Sequence, residues 1–152
     1  MTTIKPVIRA VTDADLESII ALDALVTGQS RRGFYAKRFA AMQEQPKAFV
    51  WLAASVDGKL AGFISSYILD GEFGGKAPIA VLDSINIASD KRRHGIAHLL
   101  MDALELELKS RQIKELRTEA NWSATELTQF FATNGFQLAP NVVLESNVAA
   151  SY

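Results

Sequence analysis

Ile85–Leu100 reads INIASDKRRHGIAHLL, an apolar strand end that runs through a basic, glycine-containing loop into a helix rich in leucine and alanine. The first amides of a helix have no internal acceptor and the macrodipole makes that end partly positive, so anions bind there. Gly95 permits close approach to the backbone, Ala97 keeps the following turn small, and Arg92 and Arg93 add positive charge. The pattern reads as a cradle for a phosphate or pyrophosphate. The alternative is a solvated charged turn, Lys91–His94, that caps a core helix. No G-x-x-x-x-G-K-[ST] or G-x-G-x-x-G is present, so neither a P-loop nor a dinucleotide fingerprint is indicated.

Downstream, Gly95 to Arg111 has helical spacing, with Ile96, Leu99, Leu100, Ala103, Leu104 and Leu108 on one side. Lys114–Thr118 reads as a strand and Thr125–Thr133 as a helix stopped by Asn134-Gly135. Phe136–Ala139 and Val142–Val148 read as closing strands either side of Pro140. Upstream, Ala80–Ile87 is an apolar strand preceded by a loop, Gly71–Pro78. Phe49–Val56 and Leu60–Leu69 flank Asp57-Gly58, a dipeptide suited to a tight hairpin. Arg31 to Gln45 reads as a helix with Phe34, Tyr35, Phe39 and Met42 buried, stopped by Pro46. Val7–Ala10 is a first strand. Thr12 with Asp15 opens a helix carrying Leu16, Ile19, Ile20 and Leu25. This order predicts an α/β fold: a mixed sheet with helices on its faces.

The chain has 152 residues, 49% hydrophobic and 22% charged, and a formal net charge of −1. Those values suit one globular domain over residues 1–152 and give no bulk reason to bind nucleic acid or a membrane. Cysteine is absent, which excludes disulfides, thiolate nucleophiles and Cys-based zinc sites. With no apolar signal core in Met1–Ala10 and no apolar run of about 20 residues, a cytoplasmic location is expected.

Arg92-Arg93-His94-Gly95-Ile96-Ala97 resembles the R/Q-x-x-G-x-G/A acyl-CoA signature of the GNAT superfamily of N-acetyltransferases. Phe131 to Gly135-Phe136 resembles the aromatic-x-x-x-Gly-Phe ending of that family's next helix. Element order is similar from Val7 to Glu145. The resemblance implies a mixed, mostly antiparallel sheet of about seven strands flanked by four helices, splayed after the fourth strand. It implies acetyl-CoA as co-substrate, with backbone groups around Ile85, Asn86 and Ile87 pairing with the pantetheine arm. Backbone amides of Arg93, His94, Gly95, Ile96 and Ala97, joined by His98, would hold the pyrophosphate, Arg92 would either contact a phosphate or brace the loop, and Asn121 and Phe131 would lie near the far end of the cofactor. Ser89 stands where many relatives have proline.

The activity so implied is acetyl transfer to a primary amine of a small molecule, peptide or protein by direct attack in a ternary complex. A non-catalytic acyl-CoA-binding sensor or scaffold is the alternative. Such transfer needs a neutral amine, a stabilised oxyanion and a departing thiolate. Asp83, which interrupts an apolar strand, and Glu72, in a loop able to close over the acceptor, are the candidate bases. An ion pair is the competing reading of Asp83, and an exposed loop charge that of Glu72. Phe131 stands where relatives carry the tyrosine acid, and Tyr67 or Tyr35 could substitute in that role. Arg31 and Arg32 either bind an acidic acceptor group or pair with Asp70 and Glu72. His94 and His98 with Asp90 and Asp102 do not make a zinc set if Gly95 opens the helix, so no metal is expected. Trp51 and Trp122 read as packing, and a homodimer through an edge strand such as Val142–Val148 is compatible with the pattern.

Overall fold

The computed structural model describes residues 4–149; residues 1–3 and 150–152 of the expected domain lie outside them. Two compact units divide the chain, Met1–Glu119 and Ala120–Tyr152.

In the first unit the elements are β1 (Val7–Ala10), α1 (Leu16–Thr27), α2 (Arg32–Glu44), β2 (Phe49–Val56), β3 (Lys59–Leu69), β4 (Ile79–Ile87), α3 (Ile96–Ser110) and β5 (Leu116–Arg117). The five strands form one sheet in sequence order. β1 to β4 are antiparallel to their neighbours and β5 runs parallel to β4. Short 3-10 turns precede α1 and β2 and lead into the loop before α3.

Local chemistry explains the joins. Asp57 and Gly58 both take positive φ, 51° and 76°, as a two-residue hairpin turn matched to strand twist requires. Asp15 accepts the Thr12 amide at 2.8 Å and is forked by Arg9 at 2.7 and 2.8 Å, which fastens the start of α1 to β1. That guanidinium holds the Asp15 carboxyl below the ordinary carboxylate range. α1 stops at Gly28, φ 82°, whose amide returns to Ala24.

Ile19, Ile20, Leu22, Tyr35 and Phe39 pack from α1 and α2 against Trp51 and Phe63 of the sheet. The rings meet edge to face, with Phe39 and Trp51 centroids 5.2 Å apart. Leu25 departs from expectation: it is 84% exposed, while Asp23 is buried. Leu25 lies across α1 from Ile19, whereas Asp23 follows Ile19 and Ile20 by one turn and shares their face. Ile96, Leu100, Met101, Leu104 and Leu108 bury the inner side of α3; Leu99 is turned outward instead.

The seven-strand expectation is corrected to five strands among the described residues. Phe136–Ala139 and Val142–Val148 form no strand, and Leu138, Val142 and Leu144 are exposed. Period-2 apolar patterning makes a strand only where a partner edge and a buried face hold it, and Pro140 has no N–H to give a ladder. The second unit contains α4 (Thr125–Thr133), with Phe131 buried against Phe130 and Phe136 at centroid distances of 5.5 and 4.9 Å. No helix among the described residues is long and apolar enough to cross a membrane.

Candidate active site

β4 is irregular at the point where chemistry is expected. Ser65 faces Ser84 and Ser66 faces Leu82, so Asp83 is an extra residue, a bulge. Beyond it the pairing with β3 is regular. Ala88 donates to the Ala61 carbonyl at 2.8 Å, and Gly62 lies opposite Ile87. Hydrogen-bonded and non-bonded pairs alternate in an antiparallel ladder, so Asn86 bonds Phe63 while Ile85 and Ile87 turn their N–H and C=O groups away from β3. β5 could take up those groups, but its pairing covers only Ala80 and Val81, with Thr118 Oγ1 adding a bond to the Leu82 carbonyl at 3.1 Å. The outward edge at Ile85 and Ile87 is therefore left open among the described residues.

That edge leads directly into the basic loop. Ala88 begins a 3-10 turn over Ser89–Lys91, closed by the Lys91 amide on the Ala88 carbonyl at 2.9 Å. Arg93 and Gly95 take left-handed backbone, φ 68° and 73°, and α3 begins at Ile96. Its first bond is from Leu99 to Gly95, which leaves the amides of Gly95, Ile96 and Ala97 without a backbone acceptor among the described residues. Arg92, Arg93, His94 and Gly95 are exposed, and neither arginine makes an ion pair among the described residues. A Cβ placed on Gly95 meets nothing within 4 Å. The residues thus fit an anion: free amides, two available guanidinium groups and open space above a glycine. His94 and Asp90 lie before the helix, so they share no helical face with His98 and Asp102.

Asn86 points its side chain inward. Its amide donates to Asp23 Oδ1 at 3.0 Å, as does the Tyr35 hydroxyl at 2.8 Å, and Arg31 forks the same carboxylate. Burial pushes the Asp23 carboxyl up, but the Arg31 and Tyr35 hydrogen bonds outweigh it and leave it below the ordinary range. Burial raises the Tyr35 phenol to about 12. Its hydroxyl also lies 3.4 Å from Ser84 Oγ, which hydrogen-bonds Ser65 Oγ at 2.8 Å. One buried carboxylate thereby ties α1, the start of α2 and β4 together. Arg31 and Arg32 do not pair with Asp70 and Glu72: Arg31 is held by Asp23, and Arg32 by Glu17 at 2.8 Å. Carboxylates on α1 therefore compensate the cations at the start of α2.

Asp83 is half-buried beside Arg38, with Nε and Oδ2 3.0 Å apart. The approach is off-line, so neither of these buried atoms makes a hydrogen bond. Burial raises the Asp83 carboxyl above its ordinary value, with Arg38 opposing. Arg38 also covers the Tyr67 ring at 4.8 Å, and burial followed by the charge of Asp83 raises the Tyr67 phenol. Glu72 is exposed, in a turn closed by the Gly75 amide on the Glu72 carbonyl at 2.9 Å with positive φ at Phe73 and Gly74. Of the candidate bases, only Asp83 is enclosed.

In the second unit Asn121 Oδ1 accepts the Ser123 amide and hydroxyl at 3.0 and 2.7 Å, shaping the turn into α4, and Trp122 is 91% exposed. Trp51, by contrast, is core. The sequence reading missed Asp23 and Arg38. Asp23 carried a signal, an acid in phase with Ile19 and Ile20; Arg38, on a helix with many polar positions, carried none.

Residues 14–136 match the profile described as the acetyltransferase (GNAT) family. No curated protein matches the chain. Among solved structures, an apo aminoglycoside antibiotic 6'-N-acetyltransferase from Acinetobacter haemolyticus is similar at a TM-score of 0.78 and 20% identity, over 93% of this chain and 97% of that one. An aminoglycoside N-acetyltransferase in complex with CoA gives 0.79 and 18%, over 95% and 96%. A ribosomal-protein-alanine N-acetyltransferase from Brucella melitensis gives 0.73 and 24%, over 93% and 99%. At these identities the likeness is one of fold.

Proposed function

Because the chain belongs to the GNAT acetyltransferase family, we propose that it transfers the acetyl group of acetyl-CoA to a primary amine by direct attack in a ternary complex. The observation that carries this reading is the open edge at Ile85 and Ile87, which runs without a break into the anion cradle at Arg92–Ala97. An extended amide-bearing arm suits an unpaired strand edge, and a pyrophosphate suits free helix amides flanked by arginines. Arg92, Arg93, His94, Gly95, Ile96, Ala97 and His98 hold the pyrophosphate end, and Ile85 and Ile87 align the arm. Asn86 contributes through its position between them, since its side chain is committed to Asp23. Asn121 and Phe131 are assigned to the far end of the donor on the family resemblance alone.

Acetyl-CoA supplies an activated thioester. Asp83, two residues before Ile85, is the base that keeps the attacking amine neutral, directly or through a water. An outward N–H of β4 is the donor for the developing oxyanion. No phenol acid is required, because a thiol has a pKa of about 8.5 and its anion can leave unassisted. Tyr35 is unsuited to that role, being buried and already donating to Asp23. Glu72, exposed in its turn, is the weaker candidate for the base.

The fold neighbours include an aminoglycoside N-acetyltransferase and a ribosomal-protein-alanine N-acetyltransferase, so one fold serves unlike acceptors. The acceptor here is accordingly set by local residues rather than by the sheet.

Calorimetric titration with acetyl-CoA tests the donor site. Wild type should bind in the micromolar range, and the Arg92→Ala, Gly95→Glu double variant should not, because the glutamate puts a bulky anion into the open space above Gly95. Equal binding by both would remove the cradle. A second reading, donor binding without catalysis, is favoured by Arg38 lying on Asp83 and by the missing hydroxyl at Phe131. Amine-dependent thiol release from acetyl-CoA separates the two.

A further inference from the structure

Arg38 lies against the Asp83 carboxylate between two aromatic faces. Its guanidinium carbon is 5.1 Å from the Phe34 centroid and 4.8 Å from that of Tyr67, and its Nε is 3.0 Å from Asp83 Oδ2. Two ring faces and a carboxylate around one cation is an arrangement that binds organic ammonium ions.

Two observations set Arg38 apart from a structural brace. The first is alignment. Asp15 and Asp23 each take their arginine through two hydrogen bonds, whereas the close contact of Arg38 with Asp83 forms none through the touching atoms. A bidentate arginine is held by two charge-assisted hydrogen bonds, whereas Arg38 is held mainly by its charge and is the easier of the two to exchange for another cation. The second is room. Arg38 and Tyr67 line a depression of about 250 Å³ that Glu44 also borders, so the guanidinium has space to move into and a carboxylate within it. Arg31, the other cation near Phe34 at 5.6 Å, is fixed by Asp23 and stays.

We propose that Phe34, Tyr67 and Asp83 form the seat for a cationic group of the acceptor, and that Arg38 fills this seat in cis until a substrate alkylammonium displaces it. The exchange is electroneutral: one monocation replaces another beside Asp83, and the charges that also face the site, Arg31, Glu72 and Glu119, are unchanged. The substrate class is an aliphatic amine carrying its positive charge at neutral pH; a neutral aromatic amine has nothing to exchange for Arg38. The proposal deepens the acyltransfer reading, and rests on it only for the statement that the seated cation belongs to the acceptor.

The test omits acetyl-CoA, so that failure of the donor site cannot mask it. Tetramethylammonium, which cannot be acetylated, is titrated calorimetrically into wild type, Arg38→Met, and Arg38→Met with Tyr67→Leu, each checked for folding by near-UV circular dichroism. Arg38→Met should bind at least about tenfold more tightly than wild type, since the competing cation is gone, and removal of the Tyr67 ring should return binding to the wild-type level or below. A folded Arg38→Met that binds no more tightly than wild type, or binding that survives Tyr67→Leu, overturns the proposal. Should Arg38→Met not fold, the Arg38 Nε–H resonance of wild type decides: it shifts on saturation with tetramethylammonium if the guanidinium is displaced, and an unmoved resonance overturns the seat. Seat binding with no amine-dependent thiol release from acetyl-CoA would retire the acyltransfer reading and leave the seat; the converse would retire the seat alone.

Discussion

Replacing Asp23 by alanine tests whether the buried carboxylate holds the first unit together. The substitution removes the acceptor of four hydrogen bonds, two from Arg31 and one each from Tyr35 and Asn86. These donors do not suffer equally. The Arg31 side chain is 37% exposed and can turn to water, but the buried Asn86 amide is orphaned and the buried Tyr35 hydroxyl nearly so, left with a long 3.4 Å contact to Ser84 Oγ. Each such orphan costs about 1–3 kcal/mol, for a total of roughly 2–6 kcal/mol. That range brackets the ~3–5 kcal/mol typical of breaking a buried ion pair. With a urea slope of about 2 kcal/mol/M, a loss of ~4 kcal/mol lowers the unfolding midpoint by ~2 M. Urea titration followed by far-UV circular dichroism and by Trp51 fluorescence reads the shift. The double variant Asp23→Ala, Tyr35→Phe should lose less than the sum of its singles, because the second change removes one of the orphans. The sign with pH follows from the depressed Asp23 pKa. The stabilisation is complete above the unfolded value of about 3.9 and is lost as pH falls through the lower folded value, so Asp23→Ala lacks that acid limb. A midpoint change below about 0.5 M, or strict additivity in the double variant, would refute the reasoning.

Asp83→Asn should lower kcat/KM about 10²–10⁴-fold with the fold intact, as measured by thiol release under saturating donor. In wild type the acid limb of that profile should lie above the ordinary aspartate pKa, because burial raises the carboxyl and activity needs it ionised; a limb at or below that value would oppose the assignment. Gly62→Ala places a Cβ 2.7 Å from Ile87 Cδ1 and 2.9 Å from the Asn86 carbonyl, so β4 must yield where the donor arm is proposed to pair. Thermal unfolding should report a loss of about 1–3 kcal/mol, and calorimetry a weaker acetyl-CoA affinity; unchanged affinity would argue against the edge.

Much of this was legible where the signal is local. Asp57-Gly58 specified its hairpin because few residues accept two successive positive φ angles, and Gly95 marked the start of α3 as a single residue that takes a positive φ without strain. The proposed cradle could be read from sequence because a glycine, two arginines and a helix onset are neighbours in the chain. The bulge at Asp83 was not legible: it arises from the register between Ser65–Ser66 and Leu82–Ser84, which no short window contains. Asn86 looked like a ligand residue because it lies between Ile85 and Ile87, yet its side-chain partner is Asp23, 63 positions away. The closing strands failed for the opposite reason. Val142, Val143 and Leu144 have strand-like side chains, but propensity does not supply the neighbouring ladder that would make them a strand.

The open edge of β4 also bears on how the protein behaves at high concentration. Unpaired strand amides and carbonyls invite the same edge of another molecule to zip alongside and seed aggregation. Here the edge is short, kinked by the bulge at its start, and followed one turn later by the exposed Arg92 and Arg93, whose like charges push a second copy away. That protection is electrostatic and fades as salt screens it. A bound donor would close the edge by pairing with it. The donor would then serve as a solubilising gatekeeper as well as a reactant, and solutions concentrated in high salt without it would be the first to turn cloudy.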